Sequence, residues 1–404
     1  MTEMMKKLST VERRQRIERI LGILAIVTLI IAWIIGAFGS RSNIMPAINK
    51  AIPEADHFSH YQNHGSEIYF AWADSGEEVL LGYVALGEGN GYGGPMQMAV
   101  AISPEGEVLT AEIISHKDSP SWMSRVLESS LIADLAGKSY SDSYEIGNDI
   151  DGVTSATYTS RGIAAAAQDA ARKIALEEGW PITAKPNPKI VFGIPEISLL
   201  VLYAVGYFGQ KSGFKYKKQA RWVSMIVGMV VLGFMYNSPL TLSYINKLLL
   251  GFWPQWQTHL HWYILIGGIL FVFTVDNKNP YCEWFCPFGA AQECLGAIGG
   301  AKTRSPGKYR TFLKWLQRGL AWSAIFFALL FRNPGLTSYE VFGTLFDFVG
   351  SNFQFGLLGL ILIASLFIRR PWCTYLCPLR PVEGFIRMIR KWIIGLWPKR
   401  KKTA

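Results

Sequence analysis

Cysteine is missing from one large part of this chain and concentrated in another. The chain has 404 residues and five cysteines, and none of the five falls between residues 40 and 189. That stretch has no disulfide support. Acids are missing elsewhere: residues 209–221 carry Lys211, Lys215, Lys217, Lys218 and Arg221 with no Asp or Glu. No heptad array or short tandem repeat is present, which excludes a coiled coil and a solenoid. No DNA-binding element is recognisable. The basic residues sit beside apolar segments, so the net charge of +10 points away from nucleic acid as a partner.

What the chain does have is apolar surface. Half its residues are hydrophobic, with 14 Trp and 23 Phe, which fits an integral membrane protein carrying one water-exposed module. Six segments are candidates to span a bilayer: Ile20–Phe38, Ile190–Phe208, Trp222–Thr241, Leu260–Val275, Leu316–Phe331 and Phe353–Ile368. A span needs about 20 apolar residues, so the last three rely on their flanking aromatics. The first exceeds a signal-peptide core and is followed by the poor cleavage site "GAFGS", which makes it an uncleaved anchor. Basic residues alternate along the loops. Lys6, Lys7, Arg13, Arg14, Arg16 and Arg19 precede the first span, and ten Lys and Arg follow from Arg369 onward, whereas the loop after the third span holds only Lys247. The positive-inside rule then places both termini in the cytoplasm.

The fold class expected is an α-helical integral membrane protein of about six spans with a small α+β domain inserted outside the membrane. Residues 1–39 form the cytoplasmic N-terminus and anchor, 40–189 the extracytoplasmic domain, and 190–404 a five-span membrane domain. The inserted domain carries 10 Lys and Arg against 20 Asp and Glu. Alternating runs such as "SEIYFAWAD", "EVLLGYVAL" and "MQMAVAISPEGEVLTAEIISH" predict strands. "PSWMSRVLESSLIADLAG" and "SRGIAAAAQDAARKIALEEG" predict helices. His57, His60 and His64 fall in the preceding linker and offer ligands for a surface metal site.

Ahead of the second helix stands "DGVTSATYTSRGI", with five Ser and Thr hydroxyls. Such a cluster can cap a helix, and the uncapped N–H groups of a helix start can equally seat a phosphate. The stretch resembles the flavinylation motif of the exported FMN-binding domain found in the Rnf and sodium-pumping quinone oxidoreductase flavoproteins. "GYGGPMQMAVAISPEGEVLTAEIISHKDSPSW" resembles the strand, hairpin and His-containing turn of the same domain. The match implies that Thr157 carries FMN through a phosphoester bond. Asp151, Gly152, Thr154, Ser155 and Ala156 complete the motif, and His116 lies in the matching turn. Ser155 departs from the Gly usual there.

The cysteines form an internal repeat. "NPYCEWFCPFGAAQE" follows the fourth span and "RRPWCTYLCPLRPVE" the sixth, both reading aromatic-Cys-x-x-x-Cys-Pro. The spacing sets Cys282 with Cys286, and Cys373 with Cys377, on one face of a helical turn. Pro287 and Pro378 then turn the preceding cysteine out of helical geometry. Four thiolates from two equivalent turns suit one iron–sulfur cluster or another thiolate-bound iron centre, the alternative being reduced, buried thiols. Cys294 has no counterpart in the second copy.

The whole arrangement resembles the NosR/NirI family of membrane flavoproteins, and within it the short RdhC or PceC type associated with reductive dehalogenases. The ferredoxin domain of the longer members is absent from this chain. The resemblance implies an electron-transfer component, linked to anaerobic respiration, working between the quinone pool or a cytoplasmic donor and an extracytoplasmic acceptor. A flavin transferase, quinone or quinol, an extracytoplasmic redox protein and membrane lipid are the partners implied. The alternative is a redox sensor, regulator or maturation factor of the same type. One difficulty accompanies this reading. A hydrocarbon core of about 30 Å separates a cytoplasmic-side cluster from an external flavin, so a relay is required. Glu196, His259 and His261, at the outer ends of two spans, are the ionisable suspects for handling protons there.

Overall fold

The structure is a computed structural model that describes residues 2–39, 43–63, 66–74, 76–154, 156–182, 190–211, 213–304, 306–336 and 339–396. Ser155 and His64 lie outside the described residues.

The chain opens with α1 (Thr2–Gly39) and then builds an α+β domain. After the short α2 (Met45–Ala51) come five strands, β1 (His57–Asn63), β2 (Ser66–Asp74), β3 (Glu78–Asn90), β4 (Pro95–Ile102) and β5 (Val108–Ser115). They form a single antiparallel meander in the order β1-β2-β3-β4-β5. Alternation along β3 and β4 directs one row of side chains, including Tyr83, Ala85, Met98 and Val100, against the helix α4 (Thr157–Glu177). The other row, with Val84, Leu86, Ala99 and Ala101, packs on α2. A sheet covered on both faces explains why β4 is buried nearly end to end. The alanine-rich face of α4 lets helix and sheet approach closely. At Gly89 and Gly87 any side chain would strike the carbonyls of Gly162 and Ala166. His57 and His60 belong to β1 of this domain, not to a linker. The predicted helix 120–137 is broken: α3 covers Pro120–Leu127, and only a short 3-10 turn follows at Ala133–Leu135.

The second half is helical: α5 (Ile194–Gly209), α6 (Lys217–Val227), α7 (Leu242–Leu250), α8 (Leu260–Asp276), α9 (Pro287–Ile298), α10 (Arg310–Leu330), α11 (Phe342–Phe346), α12 (Asn352–Phe367), α13 (Pro371–Tyr375) and α14 (Leu379–Leu396). Among the described residues, one stretch is long and apolar enough by itself to cross a membrane, Arg16–Gly39 within α1. Ile194–Gly209, Leu260–Asp276 and Asn352–Phe367 are apolar but shorter. Seventeen residues of helix, as in α8, rise only about 25 Å.

Two features interrupt regular helix. After α6 the chain passes into a π-helix, Gly228–Met235, and the first cysteine motif is itself a π-helical turn, Tyr281–Phe285. They pack together, Gly228 leaving no room for a side chain against the Phe285 carbonyl. Wide turns of this kind concentrate where a chain must present side chains that a regular helix would rotate away. The short helices α7, α11 and α13 each bury several of their residues. Val341, Phe342, Tyr281, Phe285 and Trp372 are almost fully buried in the helical core.

Candidate functional site

The first residue of α4 is Thr157, and its N-cap is Ala156, which offers no side-chain hydrogen bond. The hydroxyl cluster therefore does not cap the helix. Ser160 instead accepts from the Val153 N–H at 3.1 Å, folding the preceding loop back on the helix. The uncapped helix start keeps its anion-binding character, and the Thr157 side chain is exposed. Asp151, Gly152 and Thr154 lie on the exposed loop just ahead.

Thr157 faces a cleft of about 800 Å³ between the α+β domain and the helical domain. One wall is Ala156, Thr157, Tyr158 and Thr159 with Tyr92 and Trp122. The other is contributed by Thr241, Tyr339, Glu340, Phe342 and Gln354. The volume suits a nucleotide-sized ligand. His116 does not line this cleft. It sits in the turn after β5 with Nδ1 buried and unpartnered. In its place the neighbouring Asp118 organises the floor, completely buried, accepting from the Gly93 N–H and from Thr159 Oγ1, the latter at 2.5 Å. Gly93 must be glycine because its Cα lies against the Lys117 carbonyl. These bonds tie the Gly-Tyr-Gly-Gly strand end to the start of α4.

The helical domain meets this floor with buried charge. Lys247, the one basic residue of its loop, is inserted under the α+β domain with Nζ 4.3 Å from the centre of the Tyr92 ring. Burial lowers its ammonium to about 8, with the Asp118 carboxylate acting in the opposite sense. Tyr158, next to Thr157, packs its ring 4.9 Å from His259 and 6.5 Å from His261. His261 Nδ1 lies 3.7 Å from Glu196 Oε1. Glu196 is 2% exposed and also accepts from the Gly193 N–H. Glu196 and His261 are buried and His259 is half-buried, and the three suspected ionisable residues lie together beside Tyr158 of the hydroxyl motif.

The four repeat cysteines come together. Desolvation raises each buried thiol above its ordinary value, Cys286 to about 11. In Cys282, Cys286 and Cys377 the charge of the other cysteines adds to the rise, whereas Arg370 opposes it at Cys373. Every one of the six pairs among Cys282, Cys286, Cys373 and Cys377 is close enough to interact electrostatically. Cross-braces hold the two motifs in register. Gln292 of α9 accepts from the Trp372 N–H at 2.9 Å and directs Nε2 toward Cys373 Sγ at 3.5 Å. Arg370 donates to the Cys282 carbonyl at 2.7 Å. Glu293 is held by Arg221, Arg369 and Arg370 at 2.6, 3.2 and 2.8 Å. Burial would raise its carboxyl, but the three guanidiniums keep it below the ordinary value. Cys294, on the same helix, is absent from this group of interacting thiols.

The donor set fits a cluster. Cys286 leaves helical geometry at ψ 119° and caps α9, with Pro287 as the first helical residue. Cys286 and Cys377 are both stabilised as thiolates by backbone N–H groups, of Gly289 and Leu379. Asn279 donates to Cys282 Sγ at 3.3 Å, and the Trp372 indole N–H is buried without a partner. A single tetrahedral metal with bonds of about 2.3 Å would gather its sulfurs to within about 4 Å. Among the described residues no three cysteine sulfurs lie within 4.8 Å of one another. The wider spacing leaves room for a multi-iron core. Among the described residues, the trio that does meet that criterion is His57, Asp74 and Glu78, exposed on β1, β2 and β3.

Sequence reasoning named the hydroxyl motif and the cysteines but missed Asp118, Tyr92, Tyr339 and Trp372. For Tyr92 and Asp118 the signal was available, since both lie inside the stretches that carried the resemblance. For Tyr339 there was none, because it sits in an irregular loop ahead of a five-residue helix.

Comparison with known proteins agrees with both halves of the site. Residues 91–172 match the FMN-binding domain family, and residues 258–306 and 353–396 match a 4Fe-4S binding domain. Protein NirI of Paracoccus denitrificans is 30% identical over 209 residues, 45% of this chain and 29% of NirI. The putative electron transport protein YccM of Escherichia coli is 30% identical over 134 residues, 29% of this chain and 37% of YccM. The regulatory protein NosR of Pseudomonas aeruginosa is 29% identical over 154 residues, 34% of this chain and 21% of NosR. The matched stretch spans less than a third of NirI or NosR and little more than a third of YccM. An FMN-binding domain joined to paired 4Fe-4S-binding segments in one chain makes this protein a flavoprotein of the NosR/NirI-like family.

Proposed function

We propose that the chain is a multi-pass membrane protein that carries electrons between its cytoplasmic side and an extracytoplasmic acceptor. Residues 1–39 anchor it, 40–189 form the flavin domain outside the membrane, and 190–404 cross the membrane five times with both termini in the cytoplasm. Thr157 holds FMN through its phosphate, attached by a flavin transferase, with Ala156 and the uncapped start of α4 beneath it. Cys282, Cys286, Cys373 and Cys377 hold one iron–sulfur centre. Flavin chemistry suits the task because it exchanges one or two electrons and links two-electron quinol to one-electron iron. The short RdhC or PceC type fits this architecture. The observation that carries the reading is the placement of Thr157: its cleft is walled on the far side by the helical domain that holds the cysteines. A water-exposed flavin domain serving some other purpose has no need of that wall.

Regulation is a second reading, favoured by the name of the relative NosR. Sustained turnover separates the two. Purified protein carrying flavin and iron should pass electrons continuously from a soluble quinol analogue to an artificial acceptor. A single reduction with no turnover would favour a sensor.

A further inference from the structure

The cleft and the cysteine centre share a wall. Tyr339 and Phe342 line the cleft beside Thr157, and both rings also touch Trp372, at centroid distances of 5.9 and 6.2 Å. Trp372 is bonded directly to Cys373. From the same place in the cleft wall, Tyr339 Oη donates to the Leu376 carbonyl at 3.0 Å, and Leu376 is bonded directly to Cys377. Two contacts therefore lead from one cleft residue to both cysteines of the second motif. Phe288, two residues past Cys286, closes the group against Trp372 at 5.8 Å and Phe342 at 5.0 Å. Trp372 and Phe288 are almost fully buried, so no water interrupts the contact.

We propose that Tyr339 and Trp372 are the through-protein path for single electrons between the flavin cleft and the four-cysteine centre. The inference rests on the reading above, which supplies the two redox groups. With both groups bound, each transfer would move one electron from thiolate-bound iron to the flavin or back. The aromatic residues are neither oxidised nor reduced and gain no proton; they supply continuous packed and hydrogen-bonded atoms in place of a gap. Tyr339 lies just ahead of α11 and Trp372 within α13, so these two short segments bring the cleft wall and the second cysteine motif into direct contact. The first motif makes a similar approach, with the Leu240 N–H donating to Tyr281 Oη at 2.7 Å. That route, however, ends on a backbone amide, whereas Tyr339 itself faces the cleft.

The test uses the full-length, flavin- and iron-loaded protein. After rapid mixing with less than one equivalent of reductant, flavin absorbance and the iron signal of freeze-quenched samples report how fast electrons redistribute between the two groups. Tyr339→Leu should slow this redistribution about tenfold or more, a barrier increase of about 1.4 kcal/mol. Its flavin content, iron content and both midpoint potentials should stay as in the parent. Tyr339→Phe, which keeps the ring and loses the hydrogen bond, should fall between the two. Phe326→Leu, an aromatic change on α10 outside the path, should match the parent. If Tyr339→Leu loses a cofactor, Trp372→Phe and Tyr339→Phe carry the test. Parent-like redistribution in variants that retain both cofactors and both potentials would overturn the path. Parent protein that lacks flavin or iron would overturn the underlying reading instead.

Discussion

The two halves of this molecule reached their structures by different rules. In the α+β domain most elements follow the local sequence: alternation makes strands β2 to β5, an alanine face makes the helix, and a hairpin turn sits where the sequence places it. In the helical domain the apolar segments give only the outline. What matters there is where regular helix fails, at the π-turn of Tyr281–Phe285, at the π-helix Gly228–Met235 and at the short α7, α11 and α13. The α+β domain could hold its ligand with its own residues. The helical domain makes its site only by bringing together segments about 90 residues apart, through Gln292, Arg370 and Glu293. A site built on one continuous motif should fail at one residue, and a site built by assembly should fail at any of several.

The sharpest form of that contrast is at Thr157. Thr157→Ala should abolish a flavin fluorescence band that otherwise survives denaturing electrophoresis, while Thr154→Ala weakens it at most. Persistence of the band in Thr157→Ala would reduce the motif to a loop. For the assembled site, Ala at any one of Cys282, Cys286, Cys373 or Cys377 should strip most of the iron with flavin retained. Cys294→Ala should keep its iron. Full iron in Cys282→Ala or Cys377→Ala, measured on anaerobically purified protein, would break the shared-site assignment.

The junction between the halves should respond more mildly. Asp118→Ala leaves the buried Gly93 N–H and the Thr159 hydroxyl without their acceptor, at a cost of about 4 kcal/mol, which thermal unfolding of the α+β domain should register. An unchanged midpoint would show that the strand end is held by packing alone. Smallest is the pH effect of Lys247. Its folded value of about 8 lies below the ordinary 10.5, so between those pH values the unfolded chain holds a proton that the folded chain has released. Stability should therefore rise as pH climbs from about 8 to 10.5 and be flat below, the whole change being about 3 kcal/mol. Lys247→Met should remove this rise. An identical pH profile in the variant would place the titration elsewhere.

Much of this was legible beforehand, unevenly. Cys286 was expected to leave helical geometry because a proline follows it, and it does. The sheet was read from alternation, apart from β1, whose His57, His60 and polar neighbours hide its pattern. Lys247 stood out by its isolation in a loop otherwise free of charge, yet nothing local showed that it would be buried under Tyr92. The need for a relay was deduced from the thickness of a bilayer, with the segments treated as straight rods. Tyr339 could not be anticipated, because its role depends on a cleft on one side and Trp372 on the other, and neither neighbour is close in sequence. Local patterns specify local conformations; a wall shared between two sites is a property of the tertiary arrangement.

The placement of Cys286 bears on how the helical domain is completed. In the proposed centre it is both a ligand and the N-cap of α9, and Cys377 lies two residues ahead of α14. Until iron is inserted, four thiols that repel one another's ionised forms occupy the point where these two helices start, and metal binding supplies the missing free energy. In the proposed reading, iron binding would fix the starts of α9 and α14. Trp372, next to Cys373, backs the cleft wall at Tyr339, so in the proposed reading iron binding also steadies the wall that the flavin would face. Chains without iron would then keep a folded α+β domain facing a cleft wall that is not yet fixed.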